Sequence, residues 1–145
     1  MRLVVQRVKN AKVIVLPSGM TVGKIGKGVF ILVGIGKDDD ASQAERLAEK
    51  VSKLRLISDE KGKMNLSVKE TDSEVLVVSQ FTLYADTSGG NRPSFINAAM
   101  PDEAKLIFDE FVRLLKKRGL KVKTGKFGAY MEIDAVLDGP VTILF

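Results

Sequence analysis

The chain has 145 residues, 45% hydrophobic and 28% charged, which excludes a disordered or collagen-like polymer and suffices for one domain with its own core. It contains no Cys, no His and no Trp, so disulfides, zinc fingers, a thiolate nucleophile, an imidazole base and a Ser-His-Asp triad are all excluded. Lys and Arg number 23 against 18 Asp and Glu, and the resulting net charge of +5 suits either a nucleic-acid partner or an ordinary lysine-rich surface.

Leu3-Val4-Val5 opens an N-terminal strand, and a second strand is expected from Ala11 to Leu16 after a short turn at Lys9-Asn10. This charged, strand-like start has no signal-peptide core, so a cytoplasmic location is expected. Turns at Pro17-Ser18-Gly19 and Gly26-Lys27-Gly28 lead to Val29-Phe30-Ile31-Leu32-Val33. That run is apolar at every position and reads as a strand buried on both faces. Its extension to Ile35 is still far short of the roughly 20 residues a membrane span needs.

Gly34-Ile35-Gly36 lacks the third glycine of a dinucleotide fingerprint, that position being Asp39, and reads as a tight turn into a capped helix. Asp38-Asp39-Asp40 read as solvated partners of the helix dipole rather than as metal ligands. The helix is expected to use Ser42 and Glu45 as its capping box and to bury Ala44, Leu47, Ala48, Val51 and Leu54. A turn at Asp59-Glu60-Lys61-Gly62 precedes a strand from Glu74 to Val78. A second helix is expected to start at Pro101, with Asp102 and Glu103 at its positive end. Its stripe is Ala104, Ile107, Phe108, Phe111, Leu114 and Leu115, and Gly119 caps it after Lys116, Lys117 and Arg118. Three further strands are expected at Lys121-Val122-Lys123, Ile133 to Leu137 and Val141 to Phe145. With no repeat or linker, residues 1–145 read as one domain, α+β, with mostly antiparallel strands and two inserted helices.

Three segments carry candidate chemistry. In Ser79-Gln80-Phe81-Thr82-Leu83 a buried strand runs into two hydroxyls and an amide, groups whose desolvation costs roughly 2–7 kcal/mol each unless paired. A reactive site and side-chain bonds to neighbouring loops both account for that pattern. Gly89 to Phe95, with Arg92 at its centre, suits either contact with a polyanion backbone or an ordinary long connection. Arg7 is a weaker candidate phosphate contact. Asp138-Gly139-Pro140-Val141-Thr142 reads as a turn opening the last strand, with its X-Pro isomer undecided by pattern.

Taken in order, Ser79 to Leu83, Asn91-Arg92-Pro93-Ser94-Phe95, Thr124-Gly125-Lys126-Phe127-Gly128-Ala129-Tyr130-Met131 and Gly139-Pro140-Val141-Thr142 resemble the motif series of the D-aminoacyl-tRNA deacylases. Met1 to Val8 and Gly62 to Ser67 fit the same family, so the resemblance spans essentially the whole chain. It implies a partly open β-barrel with two helices, acting as a homodimer. It further implies hydrolysis of the ester joining a D-amino acid to the 3′-terminal adenosine of tRNA, with no metal and no cofactor. By this resemblance Ser79, Gln80, Phe81 and Thr82 line the scissile ester, and Phe127, Ala129 and Met131 help to bind substrate. Gly139-Pro140 is expected to be a cis dipeptide that enters the partner subunit's pocket and excludes L-amino acids, while glycyl-tRNA passes. The family usually has Asn-Asp before Gly-Pro, where this chain has Leu137-Asp138.

The chemistry itself is undemanding. An aminoacyl ester is already activated, so polarisation and a placed water matter more than a strong base. The N–H groups of Phe81 and Thr82 are expected to hold the oxyanion, each such donor being worth roughly 10²–10³ in rate. Thr82 is the natural covalent nucleophile, but it lacks a His to activate it, so the substrate's own 2′-hydroxyl is the preferred activator of water. A catalytically inert RNA-binding module and a small-molecule ester or amide hydrolase are the rival readings.

Overall fold

A computed structural model describes residues Met1–Phe145. The chain forms β1 (Arg2–Val15), β2 (Met20–Ile25), β3 (Gly28–Gly34), α1 (Ala41–Lys53), β4 (Arg55–Ser58), β5 (Met64–Ser67) and β6 (Glu74–Ser79). A 3-10 turn at Phe81–Tyr84 follows, then α2 (Pro101–Lys117), β7 (Lys121–Thr124) and β8 (Met131–Leu144).

Two long strands organise the barrel, where shorter ones were expected. β1 is unbroken over 14 residues, so Lys9-Asn10 is not a turn. Both side chains are exposed, and they mark a bulge at which the register against β8 slips by one residue. β8 is likewise one strand of 14 residues, and the expected gap after Leu137 lies inside it. A bulge imitates a turn locally, but the antiparallel ladder resumes on its far side. β1 pairs antiparallel with β8 along its length, with β3 through its first half and with β2 through its second.

The sheet continues through two parallel pairings, β3 with β6 and β6 with β7. The two-faced burial expected of Val29 to Val33 follows from this central position. Val29, Ile31 and Val33 face the helices, with Val75 and Val77 beside them, while Phe30, Leu76 and Val78 fill the barrel interior. The barrel nearly closes where β2 comes against β7 without pairing to it. Gly23 permits that approach, because a Cβ there would stand 2.7 Å from the Thr124 carbonyl oxygen.

The helices cover the outer face of the sheet. Ala44, Leu47, Ala48 and Val51 of α1 pack with Phe108, Phe111, Leu114 and Leu115 of α2 in one cluster. Phe111 is fully buried, and truncation of such a residue to Ala costs about 3–5 kcal/mol. The α1 cap differs from expectation: Asp40 is the N-cap and Gln43 completes the box, two residues ahead of Ser42 and Glu45. Pro101 opens α2 as expected, and Gly119 follows its C-cap with φ +86°. The Asp59–Gly62 turn joins β4 to β5, a small separate sheet that the residue pattern had not announced. No helix of the structure is long and apolar enough to cross a membrane.

Candidate active site

β6 carries Val75 to Val78 through the core and ends at Ser79, half-buried at the rim. The chain then turns sharply. The Gln80 N–H donates to the Val33 carbonyl at 2.8 Å, and Phe81 to Tyr84 wind into a single 3-10 turn. In such a turn the first N–H groups have no partner three residues back. Leu83 supplies the first amide that does, donating to the Gln80 carbonyl at 3.3 Å. The Gln80 side-chain amide donates to the Thr82 hydroxyl, and none of the Ser79, Gln80 or Thr82 side chains bonds to a neighbouring loop. Of the two accounts of this polar strand end, the loop-bonding one therefore has no support in the geometry.

A cleft of about 700 Å³ opens at this strand end. Ser79, Gln80 and Phe81 line it together with Phe127, Ala129 and Met131. Each of these six was a candidate from the residue pattern and family resemblance, although 48 residues separate Ser79 from Phe127 in the chain. Met131 is seated by Gly125, whose missing side chain leaves the Met131 sulfur room: a Cβ would lie 2.9 Å from it. Phe127 is held by the Phe108 ring of α2, 5.8 Å between centroids, and Phe81 meets Phe95 edge to face at 4.9 Å. Such pairs contribute about 0.5–1.5 kcal/mol beyond area burial. Phe95 belongs to the Gly-rich loop, which thus folds back on the cleft while Arg92 stays exposed at its tip.

Fourteen of the 18 lining residues are hydrophobic, and none is Asp, Glu, Lys or Arg. Tyr130, 80% exposed on the rim, is the single titratable side chain among them. Residue patterns did not point to Ile35, Ala99, Met100 or Ile133 as lining positions. They are ordinary apolar residues, and only the chain path brings them here. Thr82 is not a wall of the cleft; its hydroxyl sits one hydrogen bond behind Gln80.

Gly139, Pro140 and Arg7 form a separate cluster. Arg7 stands alone opposite residues 138–141, which loop out of the β1–β8 ladder between the Gln6–Thr142 and Val8–Leu137 pairs. The Gly139-Pro140 peptide bond is cis. Arg7 is 9% exposed, and its guanidinium donates to the Leu56 carbonyl at 2.9 Å and meets an Asp138 carboxylate oxygen at 3.1 Å. It therefore braces the bulge from within the protein rather than facing solvent as a phosphate contact would. Ile133 of β8 lines the cleft, and Gly139 lies six residues further along the same strand, about 20 Å of extended chain. The dipeptide of one chain does not line that chain's own cleft.

No three Asp or Glu side chains converge as metal ligands would. Within the expected run of solvated aspartates, Asp40 is the α1 cap and Asp39 is turned inward. Asp39 accepts from the Gly36 N–H at 2.6 Å, from the Tyr84 hydroxyl at 2.9 Å and from the Met1 amine. Burial opposes its charge, but those hydrogen bonds outweigh burial and hold its carboxyl below the ordinary carboxylate range. Burial, reinforced by the Asp39 carboxylate, pushes the Tyr84 hydroxyl up to about 12. Because this value is raised, the stability it represents is fully present below the ordinary tyrosine value near 10 and is lost as pH climbs through about 12. The chain has two tyrosines. Ultraviolet titration of the protein against Tyr84→Phe is expected to yield a difference transition near 12; one near 10 would contradict the half-buried Tyr84–Asp39 bond.

A family model described as D-Tyr-tRNA(Tyr) deacylase matches residues 4–145. The chain is 59% identical over 144 residues to a D-aminoacyl-tRNA deacylase of Thermotoga petrophila, covering 99% of this chain and 95% of that one. A Thermosipho africanus protein of the same name is 54% identical with the same coverage. Among solved structures, the c-Myc DNA Unwinding Element Binding Protein superposes with TM-score 0.91 at 40% identity, covering 100% of this chain and 97% of that chain. A probable eukaryotic D-amino acid tRNA deacylase shares the fold at TM-score 0.86 and 16% identity, covering 99% and 97%.

Proposed function

Given that this chain belongs to the D-Tyr-tRNA(Tyr) deacylase family and is a D-aminoacyl-tRNA deacylase, we propose that the cleft at the end of β6 is where the ester is cut. The observation that carries this reading is a cleft with no charged lining side chain, in a chain without His. Such a site is suited to a substrate that brings its own reactivity. Water adds to the ester carbonyl carbon, and the N–H groups of Phe81 and Thr82 stabilise the oxyanion. The carbonyl re-forms, the bond to the 3′-oxygen breaks, and the proton of the attacking water reaches that oxygen through the vicinal 2′-hydroxyl. Phe127, Ala129 and Met131 offer an apolar, partly aromatic wall for the terminal adenosine, stacking of a base on an aromatic ring being worth about 1–3 kcal/mol.

Selection by chirality is assigned to Gly139 and Pro140 of a second copy. Their distance from the cleft of their own chain favours that arrangement over a filter supplied in cis. The exposed apolar rim, with Phe81 at 58% and Met100 at 69%, supports a covered surface. Backbone carbonyls at that position read the configuration at Cα and ignore the side chain beyond it. Many D-amino acids, and glycine, therefore pass. Arg92 and the net positive charge supply the electrostatic attraction to the tRNA backbone, in the cytoplasm where tRNA is charged.

One assay tests the reading. D-, L- and glycyl-tRNA are incubated with the enzyme in excess chelator. Release of D-amino acid and glycine with L-aminoacyl-tRNA spared is expected. Equal release from the L substrate would remove the filter, and activity that only added zinc or magnesium restores would remove the metal-free mechanism.

A further inference from the structure

Gly34-Ile35-Gly36 is neither a nucleotide-binding loop nor a lining segment of the active cleft apart from Ile35, yet its two glycines sit where the catalytic turn touches the rest of the protein. A Cβ on Gly34 would lie 2.9 Å from the Leu83 Cβ and 3.2 Å from the Gln80 carbonyl oxygen. A Cβ on Gly36 would lie between 2.6 and 2.8 Å from the Tyr84 ring and hydroxyl. The two glycines thus form a seat, bare of side chains, against which the 3-10 turn rests. Three further contacts hold the turn there. Asp39 Oδ2 joins the Gly36 N–H to the Tyr84 hydroxyl, Arg2 lies 4.5 Å over the Tyr84 ring, and the Arg2 guanidinium donates to the Leu83 carbonyl at 2.7 Å. Tyr84 and Arg2 line a separate polar groove of about 500 Å³ that shares no lining residue with the cleft.

We infer that Gly34, Gly36, Asp39 and Tyr84 are positioning residues for the hydrolysis, setting the height and tilt of the Phe81–Tyr84 turn so that the Phe81 and Thr82 N–H groups point at the oxyanion. The inference rests on the cleft being the site of ester cleavage. Its physical basis is the narrow tolerance of oxyanion donors, which act within about 2.7–3.1 Å of the developing charge. A displacement of about 1 Å costs up to roughly 10²-fold in rate. The seat and the Asp39–Tyr84 bond act on the turn without lining the cleft, so they set kcat and leave ground-state binding alone.

Steady-state kinetics on D-aminoacyl-tRNA tests this. Tyr84→Phe retains the ring on its glycine seat and loses only the bond to Asp39. Its kcat is expected to fall about tenfold or more with KM within about twofold, and thermal unfolding confirms that it is folded. Gly36→Ala, which drives a methyl into the ring, is expected to lose up to about 100-fold in kcat. Added to Tyr84→Ala, where the ring is gone, Gly36→Ala is expected to cost nothing further. An unchanged kcat in folded Tyr84→Phe, a loss expressed mainly in KM, or a Gly36→Ala penalty that persists without the ring would each overturn the inference. A wild-type enzyme inert toward D-aminoacyl-tRNA would instead overturn the assignment of the cleft, before any variant is compared.

Discussion

Replacing Gly139 with alanine is expected to lower D-aminoacyl-tRNA turnover by about 100-fold and to collapse the preference for D over L substrates, in a protein that still folds. The argument is local. Gly139 has φ +127°, a backbone conformation closed to residues with a side chain. A Cβ there would also lie 2.7 Å from the Val141 nitrogen and 2.8 Å from its Cγ2. Both contacts are within the four-residue bulge itself, so the bulge must change shape to admit the methyl. Arg7 resists this on one side, being tied to Asp138, Leu56 and Ser58, and therefore the displacement passes to the solvent side that the partner's cleft would receive. A carbonyl that discriminates by steric exclusion loses its effect with a shift of about 1 Å. The fold is expected to survive, since the β1–β8 ladder resumes on both sides at Gln6–Thr142 and Val8–Leu137. Parallel time courses with D- and L-aminoacyl-tRNA decide the matter, and a D-to-L ratio equal to that of the wild type would remove Gly139 from the filter.

A D-aminoacyl-tRNA ending in 2′-deoxyadenosine is expected to be almost inert, while Thr82→Ala retains deacylation within about tenfold of wild type. Proton transfer by a positioned group contributes roughly 10²–10⁴ in rate, and the one titratable side chain lining this cleft, Tyr130, stands 80% exposed on its rim. The Thr82 hydroxyl would need a base to attack. Its one hydrogen-bond partner is the Gln80 amide, which donates to it and accepts no proton from it. The 2′-hydroxyl lies beside the scissile bond in every substrate molecule. Single-turnover measurements on the two substrates and two enzymes separate the routes. A dead Thr82→Ala enzyme with normal turnover of the deoxy substrate would make Thr82 the nucleophile.

Local pattern reached far into this protein, and its misses have specific causes. The two helices were legible to within a few residues, because an apolar stripe at helical spacing has few other ways to be buried. Both Asp40-x-x-Gln43 and Ser42-x-x-Glu45 satisfy the capping pattern, and the first operates because the chain leaving Gly36 is already pinned by Asp39. Lys9-Asn10 and Gly139-Pro140 have turn composition and proved to be bulges, which differ from turns only in whether the same partner strand continues beyond them. Arg7 read as a weaker candidate phosphate contact, and nothing adjacent to it in sequence announces that Asp138, Leu56 and Ser58 will enclose it.

Residue identity alone sets the chemical repertoire: no imidazole, no thiolate, and a buried strand that ends in hydroxyls and an amide. Local pattern also marks both helices and most of the strands, and motifs spread over the whole chain carry the resemblance to the family. Composition and short-range periodicity suffice for the repertoire and the elements, because these depend on side-chain identity and on neighbours a few residues away, whereas the family rests on the motif series. The long-range packing brings Ser79 and Phe127 into the lining of one apolar cleft, makes Arg7 a brace and Asp39 a clamp, and leaves Gly139 out of the cleft lining of its own chain. Each of these depends on which distant segment closes against which. That is settled by pairing of β1 with β8 and by burial of two helices on one sheet, free-energy terms summed over the whole chain and visible in no single stretch of it.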